Sequence, residues 1–157
     1  MSKLSELTNN ANWNELMDVA KQAIADCCSI KPEDVSVDED GDIGYDDPSG
    51  SASVYLGAEI DSPAFVLRSF VLSEVEDKPL VYRVLNEINK DLTLGQLYYI
   101  DDRVMFYYRL LVDDPTPDLL TYVLNEVLAL VDHYDDGLKA RLGGERFYES
   151  TEDEIEV

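Results

Sequence analysis

Three aspartates in the segment DEDGD, residues 38–42, have the residue type and spacing that most nearly fit a calcium site. They would occupy the first, third and fifth positions of a calcium-binding loop, where carboxylate oxygens bind the ion. An EF-hand loop also requires glycine at its sixth position and a bidentate glutamate at its twelfth, and this chain has Ile43 and Ser49 there. We therefore predict a polar turn at Gly41 and no metal site.

The only histidine, His133, lies in the segment VDHYDDG among three aspartates. Neighbouring carboxylates can form a site for a hard metal ion or raise the pKa of an imidazole. Carboxylates one to three positions away on a helix mostly point in different directions, however. A histidine-dependent nucleophile triad would rest on this residue alone, and the chain has no Gly-x-Ser-x-Gly elbow. We therefore predict a solvated helix end near Gly137.

Other catalytic and cofactor-binding motifs are absent from the sequence. It contains no Walker loop, no Gly-x-Gly-x-x-Gly and no Cys-x-x-Cys, and the adjacent Cys27 and Cys28 form neither a disulfide framework nor a spaced zinc motif. General acid–base catalysis needs only two convergent carboxylates, so an enzyme that uses clustered carboxylates or a metal remains a less favoured alternative. We predict no catalytic residue, no metal ligand and no cofactor.

The charge balance excludes some classes of partner. With 34 acidic and 12 basic residues, the chain has a formal net charge of −22. Such a surface repels nucleic acid and anionic membranes, so neither is an expected partner. There is no apolar run long enough to span a membrane and no signal-peptide pattern at residues 1–10, which favours a cytoplasmic location. We expect a single domain at residues 1–148, followed by a disordered acidic tail at 149–157.

Apolar spacing predicts the elements that surround these residues. A stripe that begins at Trp13 indicates an amphipathic helix over residues 12–28, capped by Asn10 or Asn12. Short strands are expected on either side of the Gly41 turn, and longer strands at residues 51–60 and 64–75.

A second helix should begin near Pro79, since proline suits the first turn of a helix. It is followed by a hairpin with strands at residues 93–100 and 103–112, and then by a helix capped by Thr116 that ends near residues 143–144. This pattern predicts an α+β fold with a mostly antiparallel sheet, helices packed on one face, and the order helix, strands, helix, hairpin, helix.

The hairpin, LYYIDDRVMFYYRLLVDD at residues 97–114, is apolar or aromatic in both alternate registers. A strand with one face in water normally alternates apolar with polar residues, so both faces of this hairpin require cover. If one face packs under the helices, the other gathers arginines, aromatic residues and a methionine in a composition typical of interface cores. The candidate partner-binding residues are Tyr55, Arg68, Phe70, Arg103, Met105, Tyr107 and Arg109. An alternative is that Arg68 and Arg109 form cross-strand pairs with Glu59 or Glu74.

The run LNEINKDLTLGQLYYIDDRVMFYYRLL, residues 85–111, resembles the YbjN-like half of the peptide-binding chaperone superfamily that also contains type III secretion chaperones. The resemblance rests on a Leu-Asn-x-x-Asn element, on Gly95 in the following strand, and on an aspartate at the hairpin turn. The segment LKARLGGERFYE, residues 138–149, is similar to the Leu-x-x-Arg-Phe-Gly-Gly ending of actinobacterial members, with Leu142 in place of the aromatic residue.

The resemblance implies a secretion-chaperone-like fold and a non-enzymatic domain, often dimeric, that presents apolar surface to a segment of a client protein. The family defines no catalytic or cofactor residues that could be transferred to this chain. The expected function is therefore binding of a protein or peptide client, in the manner of a chaperone or adaptor. The alternative is a homodimeric regulatory or structural module that uses the same sheet face for self-association.

Overall fold

The computed structural model describes residues 2–47 and 52–146. In this part of the chain the helices are α1 (Lys3–Leu7), α2 (Ala11–Cys28), α3 (Pro79–Asp91) and α4 (Pro117–Leu142), with a short 3-10 turn at Pro32–Asp34. The strands are β1 (Ile43–Asp46), β2 (Ser53–Glu59), β3 (Ala64–Ser73), β4 (Gln96–Ile100), β5 (Arg103–Leu111) and β6 (Glu145–Arg146). The predicted acidic tail at 149–157 lies outside the described residues.

The described strands form one six-stranded sheet in the order β1-β2-β3-β5-β4, and β6 pairs with β3. The β4–β5 and β3–β6 pairs are antiparallel. The predicted α+β class, the mostly antiparallel sheet and the order helix, strands, helix, hairpin, helix are confirmed.

The chain divides into two compact units, each built from three segments. Among the described residues, unit 1 contains residues 2–45, 54–67 and 109–126, and unit 2 contains residues 46–47, 52–53, 68–108 and 127–146. Whether residues 1–148 fold as a single domain stays a prediction.

Helix α2 forms where its apolar stripe predicts it. The Asn10 side chain accepts the backbone N–H of Trp13 at 3.1 Å, so it provides the N-cap that the sequence suggested. The stripe is buried from Trp13 to Ile24, with exposures of 4% and 3% at its two ends. Burial of these side chains from water stabilises a helix that begins and ends as its pattern indicates.

Of the two short strands predicted around Gly41, only the second one forms. Residues 43–46 form β1, but residues 35–37 lie outside any strand and follow the 3-10 turn at Pro32–Asp34. The turn itself is held by the Asp38 carboxylate, which accepts the backbone N–H groups of Asp40 and Asp42 at 2.9 Å each. An aspartate that bonds the backbone two and four residues on closes a local turn, which needs no partner strand.

Helix α4 begins and ends where its cap and its apolar stripe predict. Leu119 donates its backbone N–H to the Thr116 hydroxyl at 3.3 Å, which confirms the predicted cap. The helix ends at Leu142, which confirms the end predicted near residues 143–144. Gly137 lies inside the helix, so the other expectation, a helix end near Gly137, is wrong. His133 is nevertheless exposed, and its ring lies 4.8 Å from that of Tyr134.

Candidate partner-binding surface

The register of the β4–β5 hairpin decides which side chains share a face. Ile100 pairs with Arg103 across the turn, and the further pairs are Tyr99 with Val104, Tyr98 with Met105, Leu97 with Phe106 and Gln96 with Tyr107. Residues directly opposite in an antiparallel pair point to the same side of the sheet, and successive residues point to opposite sides. One face therefore carries Leu97, Tyr99, Val104 and Phe106, and the other carries Gln96, Tyr98, Ile100, Arg103, Met105 and Tyr107.

Helix α3 covers the first of these faces. The Tyr82 ring of the helix meets the Tyr99 ring edge-on, with their centres 5.8 Å apart. Asn89 binds the strand itself, because its amide donates to the Leu97 carbonyl at 2.8 Å and accepts the Leu97 N–H at 2.7 Å. The strand residues below are closed to water, with Val104 0% and Phe106 2% exposed. This face of the hairpin is core.

The opposite face of unit 2 collects the arginine, aromatic and methionine side chains that the sequence singled out. We call this surface the hairpin patch and define it as Arg68, Phe70, Tyr98, Ile100, Arg103, Met105 and Tyr107. The Arg103 guanidinium carbon lies 5.4 Å from the centre of the Phe70 ring, within the range of a cation–π contact. This contact joins β3 to β5 on the side away from α3.

Tyr98 links the rest of the patch. Its ring centre lies 6.4 Å from that of Tyr107, with the planes at 73°, an edge-to-face arrangement that aromatic quadrupoles favour. Its hydroxyl donates to the Met105 sulfur at 3.5 Å. Met105 is only 7% exposed, so it forms the floor of the patch below the tyrosines. Two predicted contact residues, Met105 and Tyr107, thus contact Tyr98, and two others, Phe70 and Arg103, contact each other.

Exposure within the hairpin patch increases from this floor outward. Phe70, Tyr98 and Tyr107 are half-buried, whereas Arg103 and Ile100 are exposed, Ile100 at 46%. Burial is also the main reason that the pKa of the Tyr98 hydroxyl is raised, an effect that Tyr107 reinforces and the positive charge of Arg68 opposes. Arg68 therefore acts electrostatically on the centre of the patch.

The two remaining candidate residues, Arg109 and Tyr55, lie in unit 1, so they are not part of the hairpin patch. The Arg109 guanidinium donates to the Glu59 carboxylate at 2.6 Å and to the Ser62 carbonyl at 3.4 Å. The alternative reading of the sequence, in which Arg109 forms a cross-strand ion pair with Glu59, is therefore observed. Tyr55 is half-buried in β2 and lies against β1, near Gly44.

Sequence reasoning missed Tyr98 and Ile100. Both follow from the two-residue turn at Asp101 and Asp102, because this turn fixes every opposite pair along the hairpin. Each turn residue has a positive φ, 47° and 61°, as the turns that favour hairpins require. Extending the pairs outward from the turn would have placed both residues beside Arg103 and Met105.

Neither a metal centre nor a membrane span is found in the part of the chain that the structure describes. Within residues 2–47 and 52–146, no group of three or more histidine, cysteine, aspartate or glutamate side chains is arranged to hold a metal ion. No helix among the described residues is long and apolar enough to cross a membrane.

Solved structures with this fold include three protein complexes, one of which contains a type III secretion chaperone. The ExsC–ExsE complex contains a chain with a TM-score of 0.60 and 15% identity, and the match covers 74% of this chain and 91% of that one. The HopA1–SchA chaperone–effector complex gives a TM-score of 0.60 at 9% identity, covering 82% and 97% of the two chains. The Yersinia pestis type III secretion chaperone SycH, in complex with a stable fragment of YscM2, gives 0.52 at 13% identity, covering 73% and 96%.

The sequence itself matches a protein-family model over most of its length. No curated protein matches the chain. The matching model describes T3SS (YopN, CesT) and YbjN peptide-binding chaperone 1, and it covers residues 14–150. The span includes most of α2, every described strand and the last helix, so the match does not rest on one short motif. The chain belongs to this family of type III secretion and YbjN peptide-binding chaperones.

Proposed function

We propose that the protein is a non-enzymatic, chaperone- or adaptor-like domain that binds a peptide segment of a client protein through the hairpin patch. Membership of a peptide-binding chaperone family supports the class of activity. The observation that carries the choice of surface is the Arg103–Phe70 contact beside the Tyr98–Tyr107 pair. It supports this choice because arginine and aromatic side chains lie close together there, a composition typical of interface cores.

The chemistry of the patch suits an apolar segment that also offers hydrogen-bond acceptors. Half-buried tyrosine rings give a client a large contact area at a small cost in side-chain entropy, because few of their torsions remain to be fixed. Ile100 adds an exposed aliphatic anchor, and the Arg103 guanidinium can donate to a carboxylate or a backbone carbonyl. Aromatic residues and arginine carry much of the binding energy at protein interfaces.

The net negative charge of the chain disfavours several other classes of partner. A chain with net charge −22 repels nucleic acid and anionic membranes, which favours a protein client over either. It also repels a second copy of itself at long range, although a dimer that buries the patch would overcome this if the contact were apolar enough. Self-association through the patch is therefore the competing function that the experiment must separate.

Site-specific photocrosslinking separates these two functions. A benzophenone amino acid in place of Tyr107 forms a covalent bond with whatever lies against the patch when cells of the native host are irradiated. We expect an adduct with another protein. An adduct only of twice the mass of the chain would instead support the homodimer. The same probe at Tyr122, which is 64% exposed in unit 1, is the control and should not give the same adduct.

A further inference from the structure

We infer that a groove in unit 1 is a second binding surface, specific for a short segment of a partner protein that combines apolar side chains with lysine or arginine. The groove has a volume of about 460 Å³ and lies between the end of α2, the 3-10 turn, β1 and the Tyr55 ring. It is built from residues outside the hairpin patch. Its occupant is therefore testable separately from the client of the hairpin patch.

The floor and one wall of the groove are apolar. Val35 is 8% exposed and Tyr55 is half-buried, whereas Ile30 is 45% exposed at the mouth. Ile30 is held in place by its backbone, since its N–H donates to the Ala25 carbonyl at 3.1 Å, just after Ser29 ends α2 with a positive φ of 56°. An exposed isoleucine on a fixed backbone beside an open groove offers apolar area to a partner at little cost in ordering.

The other wall of the groove is acidic. Asp34, Asp38 and Asp42 line it, and no lysine or arginine is among the described residues that do so. Lys31 is next to Ile30 in the chain but is not one of the lining residues. Carboxylates beside an apolar floor complement a segment in which cationic side chains flank apolar ones. They exclude an acidic segment, including that of a second copy with net charge −22.

Gly44 keeps the groove open. It is exposed in β1, and a Cβ atom added there would meet only the Tyr55 ring, at 3.9 Å, which is ordinary van der Waals contact. Its backbone is in the extended region that other residues adopt readily, so a larger side chain fits the strand and would occupy the space above Tyr55. Alanine adds only the Cβ atom, whereas leucine extends further into that space, which gives a matched pair of variants.

The test is fluorescence anisotropy of a labelled octapeptide of alternating leucine and lysine, titrated with the full chain. We expect binding that weakens as salt is raised. Replacing the lysines with glutamate should abolish binding, and replacing the leucines with serine should weaken it by about tenfold or more. Equal binding of the serine peptide would mean that the net charge alone attracts the probe, and would overturn the inference.

The protein variants locate the site. Gly44→Leu should weaken binding by about tenfold, whereas Gly44→Ala should retain it. Asp34→Asn should weaken it more than Asp18→Asn, which removes another exposed carboxylate, from α2 outside the groove. Unchanged binding in Gly44→Leu, or equal effects of the two asparagine variants, would contradict the assignment.

A last variant separates this groove from the hairpin patch. Tyr107→Ser should bind the leucine–lysine peptide as the unmodified chain does, because Tyr107 does not line the groove. Loss of the peptide in this variant would overturn the groove and would assign the probe to the hairpin patch. If Tyr107→Ser still binds the peptide but the probe at Tyr107 forms no adduct with another protein, the groove is supported and the proposed function is contradicted.

Discussion

The guanidinium carbon of Arg103 lies 5.4 Å from the centre of the Phe70 ring, on the side of the hairpin that α3 leaves open. The Arg103 side chain is 46% exposed, and it also lies 3.8 Å from the Asp102 carboxylate. Neither an exposed cation–π contact nor an exposed ion pair contributes much to folding. The position of Arg103 therefore matters more for what the surface can bind than for stability.

Arg103→Ala should lower the free energy of unfolding by less than about 1 kcal/mol, which is the scale of one exposed cation–π contact. Urea denaturation measures this, and Arg103→Lys, which keeps the charge but not the planar group, is the comparison. A loss of about 3 kcal/mol or more would show that Arg103 is a structural residue, and would weaken its assignment to a binding surface.

Asn89 and Asn86 occupy the two asparagine positions of the Leu-Asn-x-x-Asn element, and the structure distinguishes them. Asn89→Ala should cost about 2–3 kcal/mol, because it leaves the backbone N–H and carbonyl of Leu97 without their observed partner. Asn86 is exposed on α3, and Asn86→Ala should change stability by less than about 0.5 kcal/mol. Equal losses in the two variants, measured by urea denaturation, would contradict this account of the motif.

Gly95 and Gly137 make a second matched pair. Gly95 has φ +70°, and a Cβ there would lie 2.8 Å from the Tyr107 carbonyl oxygen and still closer to the Phe106 ring. Gly95→Ala should therefore destabilise the fold by about 2 kcal/mol or more.

A Cβ at Gly137 would meet nothing within 4 Å, and this residue lies inside α4. Gly137→Ala should raise stability by about 0.5–1 kcal/mol, since alanine is the better helix former. Thermal melts of both variants test the pair. A stabilised Gly95→Ala would mean that β4 does not approach β5 as described.

The Tyr98 hydroxyl makes the stability of the folded chain depend on pH under alkaline conditions. Burial raises the pKa of its hydroxyl above the ordinary value near 10; the positive charge of Arg68 opposes this rise, and the titratable hydroxyl of Tyr107 adds to it. Below pH 10 the hydroxyl is protonated in both the folded and the unfolded chain, so it does not alter stability there. As pH rises above 10 the unfolded chain releases this proton first, so stability falls until the folded hydroxyl ionises as well.

Tyr98→Phe should therefore reduce the loss of stability above pH 10, measured by urea denaturation at a series of pH values. Tyr108→Phe is the control, because its hydroxyl lies outside the hairpin patch. If the two variants lose stability with pH in the same way, Tyr98 does not titrate as its burial requires.

Local features of this chain were predictable from sequence. The Asn10 and Thr116 caps, the stripe of α2 and the turn at Asp101–Asp102 depend on residues within one turn of each other. Short-range hydrogen bonds and periodicity therefore suffice to place them. From the turn it was also possible to predict which hairpin residues share a face, including Met105 with Tyr107.

Features that depend on distant segments were not predictable in this way. Strand β6 is only two residues long and exists because Arg146 and Glu145 pair with Leu72 and Ser73. Nothing in its own composition marks it as a strand. Likewise, the Arg146 guanidinium lies 4.0 Å from the carboxylate of the buried Asp135, which is 4% exposed, and no local pattern indicates this pairing.

The ion pair between Arg109 and Glu59 is a feature of the candidate site that could not be predicted, because it also joins distant segments. From sequence, Arg109 was equally compatible with a binding surface and with a cross-strand pair, because the register of strands far apart in the chain was unknown. The 2.6 Å contact supports the pair. Arg103, close to its own hairpin turn, could be placed beside Met105 and Tyr107 without that information.

Folding of the Tyr107 variant must be checked before binding is interpreted. Tyr107 is half-buried, so Tyr107→Ser should cost about 1 kcal/mol, roughly half the value of a fully buried large side chain. Tyr122→Ser, at a 64% exposed position in α4, is the matched control and should change stability little. A cost of several kcal/mol for Tyr107→Ser would place the ring in the core and remove it from the proposed surface.

The most direct test of client binding through the hairpin patch is a quantitative pull-down from the native host with the unmodified chain, Tyr107→Ser and Tyr122→Ser at equal concentrations of folded protein. We predict a partner protein that is retained by the unmodified chain and by Tyr122→Ser, and reduced by about tenfold or more with Tyr107→Ser. Equal recovery of every partner by all three proteins would contradict the assignment of the hairpin patch as the client-binding surface.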